Sequence, residues 1–252
     1  MLKTLSIVAL FAVLTATFLL PSNEQRAEKD KAISSIQSDL ANVIEAAQDA
    51  DGIPQKIDLN LDAPTAKGRY GELERFTKGI MQRMINLQNG YLQDLDAIGW
   101  DTVLDAKRLS EDVALSESRV MVIDARKLVA KYRGQIVDLP NKAKADIEKL
   151  DLPGKDKAKM LEGFMEGFNN GGALALWDLE ADVVEQFANI ISLLESPAGA
   201  WQLEQDYLAF EMDSDIEQFN GYLAKIDELV AQQSALQEKA QTRSMDTLSK
   251  IQ

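Results

Sequence analysis

The stretch ALALWDLEADVVEQFANIISLLE, residues 173 to 195, sets the fold class. Its polar residues Asp178, Asp182, Glu185, Asn189 and Ser192 recur at spacings of three and four, which in a helix makes one thin polar stripe on an otherwise apolar surface. A helix apolar on most sides has to be surrounded by others, so the expectation is the central helix of an all-α bundle. It is not a second membrane span, because Asp178, Glu180, Asp182 and Glu185 interrupt it. That argues against a receptor that brackets an external domain between two spans.

Outward from this helix, periods of three and four dominate. Ile33, Ile36, Leu40, Val43, Ile44 and Ala47 make one narrow stripe over 32–47, ended by DADGIP at 49–54. KIDLNLDAP places Ile57, Leu59 and Leu61 at alternate positions, as a short extended segment would. A long helix follows from about Tyr70 to Ile98, with Gly99 as its terminator. Asp101 is positioned to cap a further helix carrying Leu104, Leu109, Val113, Val120 and Ile123 toward the break at Leu139-Pro140. Two shorter helices flank LDLPGKD. GFMEGFNNGGA spaces Gly163, Gly167 and Gly171 four apart, and its Glu and Asn residues place that spacing in a closely packed helix ending at NNGG, away from lipid. SPAG at 196–199 ends the central helix, and a last long helix carries Ile216, Phe219, Leu223, Ile226 and Val230 before its pattern fades after Leu236.

Between those two helices, Trp201 and Leu203, then Leu208, Phe210 and Met212, alternate in the manner of two short strands turning at EQD. The same residues also make a passable helical face through Leu203, Tyr207 and Phe210. The Pro and Gly at the start of the stretch favour the extended form. The fold class expected is therefore all-α: an elongated antiparallel helical bundle with an N-terminal apolar anchor or signal helix and a short β-hairpin near 201–212.

At the N-terminus, Lys3 precedes an apolar run from Thr4 to Leu20, and no charge follows until Glu24. The run sits at the border between a signal-peptide core of about 7–15 residues and a spanning helix of about 17–25. No register offers a good cleavage site: Leu14/Ala16, Thr15/Thr17 and Leu20/Ser22 are all indifferent. With no Cys, lipid attachment behind the run is closed as well. The length favours a transmembrane anchor over a cleaved signal peptide at 1–22. The positive charge ahead of the run directs 23–252 outward as one exported helical domain. The expected location is the bacterial inner membrane with the body in the periplasm; signal cleavage would instead leave a soluble periplasmic or secreted protein.

A composition 46% hydrophobic and 27% charged is that of a globular body. The net charge of -14 speaks against electrostatic binding of nucleic acid or anionic lipid, and KAKADIEKLDLPGKDKAK mixes its six lysines with four acids. With no His and no Cys, triad catalysis, thiolate zinc sites and Glu-x-x-His di-iron sites are unavailable. The helical pairs Glu162 with Glu166 and Asp178 with Asp182 read as solvated faces. AQDADGIPQKID puts Ala47 first and Pro54 eighth in the calcium-loop pattern and fails it, as does the register from Asp58. No enzyme activity, cofactor or metal is expected.

What remains is the stretch from Glu195 to Glu228, with nine acids and one Lys. Its ordinary reading is a solvated acidic flank with aromatics turned inward. Its functional reading makes Trp201, Tyr207 and Phe210 contacts for a partner or ligand. Two functions fit: a membrane-tethered structural or protein-interaction protein of the envelope, or a helical module binding a small apolar or cationic molecule. The partners expected are an envelope protein and the membrane through the N-terminal segment, with no nucleic acid; a homo-oligomer is left open. An exposed apolar patch would favour the first function and an enclosed pocket the second.

Overall fold

A computed structural model of the chain describes residues 23–47, 55–61, 63–196 and 200–249. The apolar segment 1–22 and most of the failed calcium loop lie outside the described residues. Among those described, the protein is mainly helical, with one two-stranded antiparallel sheet, and no helix is long and apolar enough to cross a membrane. Among the described residues eight α-helices occur in chain order: α1 Asn23–Ala46, α2 Gly68–Ala97, α3 Ala106–Glu111, α4 Ser116–Val137, α5 Leu139–Lys149, α6 Gly154–Asn170, α7 Ala173–Glu195 and α8 Asp213–Ser249. Strands β1 Trp201–Glu204 and β2 Tyr207–Phe210 separate α7 from α8.

The contacts gather into two compact units. One holds Tyr91–Arg133 and Leu176–Ser234, the other the described parts of Ser6–Gly90, Gly134–Ala175 and Ala235–Gln252. Their boundaries fall inside α2, α4, α7 and α8, and not in the linkers that mark domains in a sequence.

In the second unit the α1 stripe is buried as its period requires: Val43 and Ala47 pack with Ile57 and Ile85, and Ile36 and Leu40 with Met81. The segment at 57–61 forms no strand, yet its burial alternates, with Ile57 buried and Asp58 and Asn60 exposed. Asn89 holds it as a strand partner would, accepting from the Ile57 N–H at 2.7 Å and donating to the Ile57 carbonyl at 2.9 Å. Glu74, fully buried, accepts from the N–H groups of Thr65 and Ala66 and faces Lys78 at 3.1 Å. Burial pushes its carboxyl upward, but those amides and Lys78 outweigh it and hold the group below the usual Glu value. Gly71 stands where the chain is tightest, since a Cβ there would lie 2.5 Å from the Ala66 carbonyl oxygen.

The first unit is built around α7, whose limits coincide with the quoted stretch. Its stripe of Asp178, Asp182, Glu185, Asn189 and Ser192 is exposed, while Trp177, Val184, Phe187, Ile190 and Ile191 are buried. Gly99 ends α2 in the left-handed region at φ 71°, and Trp100 turns back onto Phe187 with ring centroids 5.0 Å apart.

The single helix expected from Asp101 to Leu139 is corrected here. The cap is Asp105, whose carboxylate accepts from the Arg108 N–H at 2.8 Å, and α3 lasts only six residues. Ala114 and Leu115 then adopt φ of 55° and 49°, breaking the helix before α4 starts. A stripe drawn across such a break changes phase. Val113, Val120 and Ile123 are consequently exposed, and Leu115, Val122, Ala125, Val129 and Tyr132 face the core. Asp112 holds the strained turn: it accepts from the Glu117 N–H and from the Ser118 N–H and hydroxyl, and Arg108 lies 3.5 Å away.

Candidate interaction surface

The surface that gathers the aromatics of the acidic stretch starts at the end of α7. The Trp201 indole N–H donates to the Leu194 carbonyl at 3.0 Å, one of the last carbonyls that no N–H of its own helix reaches. The ring is half-buried. From there the chain forms the expected hairpin, pairing Trp201 with Phe210, Leu203 with Leu208 and Glu204 with Tyr207. A two-residue turn closes it, with Gln205 at φ 57°. The Tyr207 hydroxyl donates to Glu204 at 3.1 Å, and that bond together with the carboxylate's charge raises the phenol above its usual value.

Phe210 turns toward the first part of α8 and meets Phe219 with centroids 5.3 Å apart. These two rings floor an open groove of about 640 Å³, walled by Leu104, Ala106, Tyr207 and Ile216. Among the described residues, Asp105 and Asp206 are its only charged lining residues. Tyr207 is 53% exposed and Ile216 39%, so this is apolar surface left in water.

The three predicted contact residues line two clefts, although Trp201 and Phe210 stand opposite each other in the hairpin. Tyr207 and Phe210 share the groove, whereas Trp201 lines a second open cleft of about 570 Å³ with Leu115, Leu194 and Arg119, where Arg119 pairs with Glu195 at 3.0 Å. Ile216, expected on the buried face of the last helix, is an exposed groove wall beside the buried Asp215; Ile226 and Leu229 are the first buried apolar residues of α8 among the described residues. Leu104 and Ala106 carry no local sign of a role. Only the fold brings α3 against the hairpin.

A second group escaped the sequence reading altogether. Glu180 is buried, accepting from the Tyr91 hydroxyl at 2.5 Å and from the Gln233 side-chain amide at 3.0 Å. Burial, then the Glu180 charge and hydrogen bond, push the Tyr91 phenol well above its ordinary value. The signal was present: Glu180 lies two positions from Asp178, about 200° around the helix and off the polar stripe. The pairs Glu162 with Glu166 and Asp178 with Asp182 are exposed, and Asp178 bonds Arg133 at 2.8 Å.

The described lining of the groove carries two carboxylates, Asp105 and Asp206, and the Tyr207 phenol. No protein-family model, curated protein or solved structure matches the chain.

Proposed function

We propose that the chain is a membrane-tethered, non-enzymatic protein-interaction protein of the bacterial envelope. The apolar segment 1–22 anchors an antiparallel helical body on the outer side of the inner membrane, and the groove between the hairpin and α8 receives another envelope protein. The observation that carries this reading is the groove itself, with Phe210 and Phe219 as floor and Tyr207 and Ile216 open to water. Exposed apolar surface rimmed by charge is characteristic of protein contact sites. Both described clefts are open, which favours a macromolecular partner over an enclosed small ligand. The lack of His and Cys supports a role without catalysis.

The test places a photo-crosslinking residue at Tyr207, at Ile216 and, as control, at Ser192 on the exposed stripe of α7. Irradiated in native envelopes, the first two positions give a discrete adduct with another protein and the third does not. Equal labelling at all three positions, or none at any, would sink the reading. For the tether, the intact chain sediments with membranes through a high-salt wash, and a mature N-terminus between Thr17 and Asn23 would refute it.

A further inference from the structure

Four consecutive residues, Tyr207, Leu208, Ala209 and Phe210, line the groove. Side chains alternate between the two faces of a strand, so a cleft touching every residue runs along the strand's edge. The hydrogen-bond phase says which atoms lie on that edge. Glu211 donates its N–H to the Ala200 carbonyl at 3.0 Å, and with a period of two the residues bonded to β1 are Tyr207 and Ala209. The N–H and C=O groups of Leu208 and Phe210 therefore point away from β1, on the edge of a strand whose four residues all line the groove. The sheet has only two strands among the described residues, so this edge of β2 has no strand beside it.

The charge around the edge is of one sign. Asp105 and Asp206 line it, and Glu204, Glu211, Asp213 and Glu217 are exposed nearby. None of these six forms an ion pair among the described residues. Of the nearby bases, Lys225 is paired with Glu228 at 2.7 Å. Arg108 is directed to the carbonyls of Thr102 and Val103 and to Ser118, and Lys107 is outside the lining.

We infer that the free edge of β2 accepts an extended basic segment of the partner protein as a third strand. The segment's main chain bonds to Leu208 and Phe210. Its apolar side chains settle on Phe210 and Phe219, and its alternate lysines or arginines meet Asp105 and Asp206. Strand addition supplies affinity through the backbone and specificity through alternate side chains. A second copy of this chain is disfavoured as the occupant, since its own edge would bring the same carboxylates against these. The inference rests on the groove being the contact site and adds the form and charge of what enters it.

The test uses the full chain in detergent and a labelled short peptide alternating lysine with valine, followed by fluorescence anisotropy. Binding is expected to weaken as salt is raised and to be at least about tenfold tighter than that of the same peptide with glutamate for lysine. N-methylation of the peptide amides on one edge should abolish it. Leu208→Pro removes one outward N–H without touching the β1 ladder and should weaken binding likewise. Asp105→Asn with Asp206→Asn keeps the α3 cap and should reduce the preference for lysine. Equal binding of the lysine and glutamate peptides overturns the inference, as does binding that survives N-methylation of each edge in turn. So does a homodimer as the adduct formed at Tyr207. A foreign adduct at Tyr207 with no binding of the lysine peptide leaves the contact site standing and removes the basic strand; no adduct and no binding remove both.

Discussion

Two groups of aromatic residues in the same compact unit have opposite fates. Tyr91, Tyr132 and Trp177 come from three helices and meet in the interior, with Tyr91 edge-on to Trp177 at 5.0 Å and to Tyr132 at 5.3 Å, and Tyr132 stacked on Trp177 at 6.1 Å. Trp201, Tyr207, Phe210 and Phe219 lie at a hairpin and the start of a helix, and none is fully buried. The side chains are alike in kind; what differs is where the tyrosine hydroxyls and the Trp201 indole N–H find partners. Tyr91 donates into the buried carboxylate of Glu180, a bond that exists only when α2 and α7 are docked. Trp201 donates to the end of the helix just before it, and Tyr207 to its own hairpin. The interior group thus reports long-range assembly. The surface group is satisfied locally, leaving its ring faces for something else.

The sharpest way to break this contrast is Trp177→Ala, which should cost about 3–5 kcal/mol in a denaturant melt, as truncation of a fully buried Trp does. A near-neutral result would mean the three rings are not a core. Next comes Glu180→Ala, which strands the Tyr91 hydroxyl and the Gln233 amide and should cost about 2–3 kcal/mol. Glu180→Leu is the sharper control, since a stabilised protein would show that burying the carboxylate costs more than its bonds return.

Alkali probes the interior group without mutation. The folded Tyr91 phenol holds its proton above the ordinary value of 10.0, so its contribution is complete below that pH and is lost as pH rises toward the folded value. Stability should fall there by up to about 1.4 kcal/mol per pH unit for this group, and Tyr91→Phe should flatten the slope. At the hairpin, Trp201→Ala should cost about 1–2 kcal/mol, between the values for core and surface, because the ring is half-buried and caps α7. Smallest is Tyr207→Ser, which should leave the melt within about 0.5 kcal/mol while reducing adduct formation at Ile216.

The sequence by itself determined what depends on near neighbours along the chain. The limits of α7, the polar stripe on its surface, the turn at Gly99 and the two strands at Trp201–Glu204 and Tyr207–Phe210 follow from periods of 3.6 and 2 and from the residues that interrupt them. The exclusion of histidine and cysteine chemistry needed only a count. Tertiary structure alone decided which faces are inside. The break at Ala114 and Leu115, held by Asp112, changed the helical phase and sent Val120 and Ile123 to the surface, because no single residue there carries a helix-breaking side chain. It also set Trp201 in a different cleft from Tyr207 and Phe210, and recruited Leu104 and Ala106 to the groove. Finally it gave Glu180 partners 89 and 53 positions away. A periodicity reports that a residue has a face; which residue fills the other side is set by packing between segments far apart in the chain.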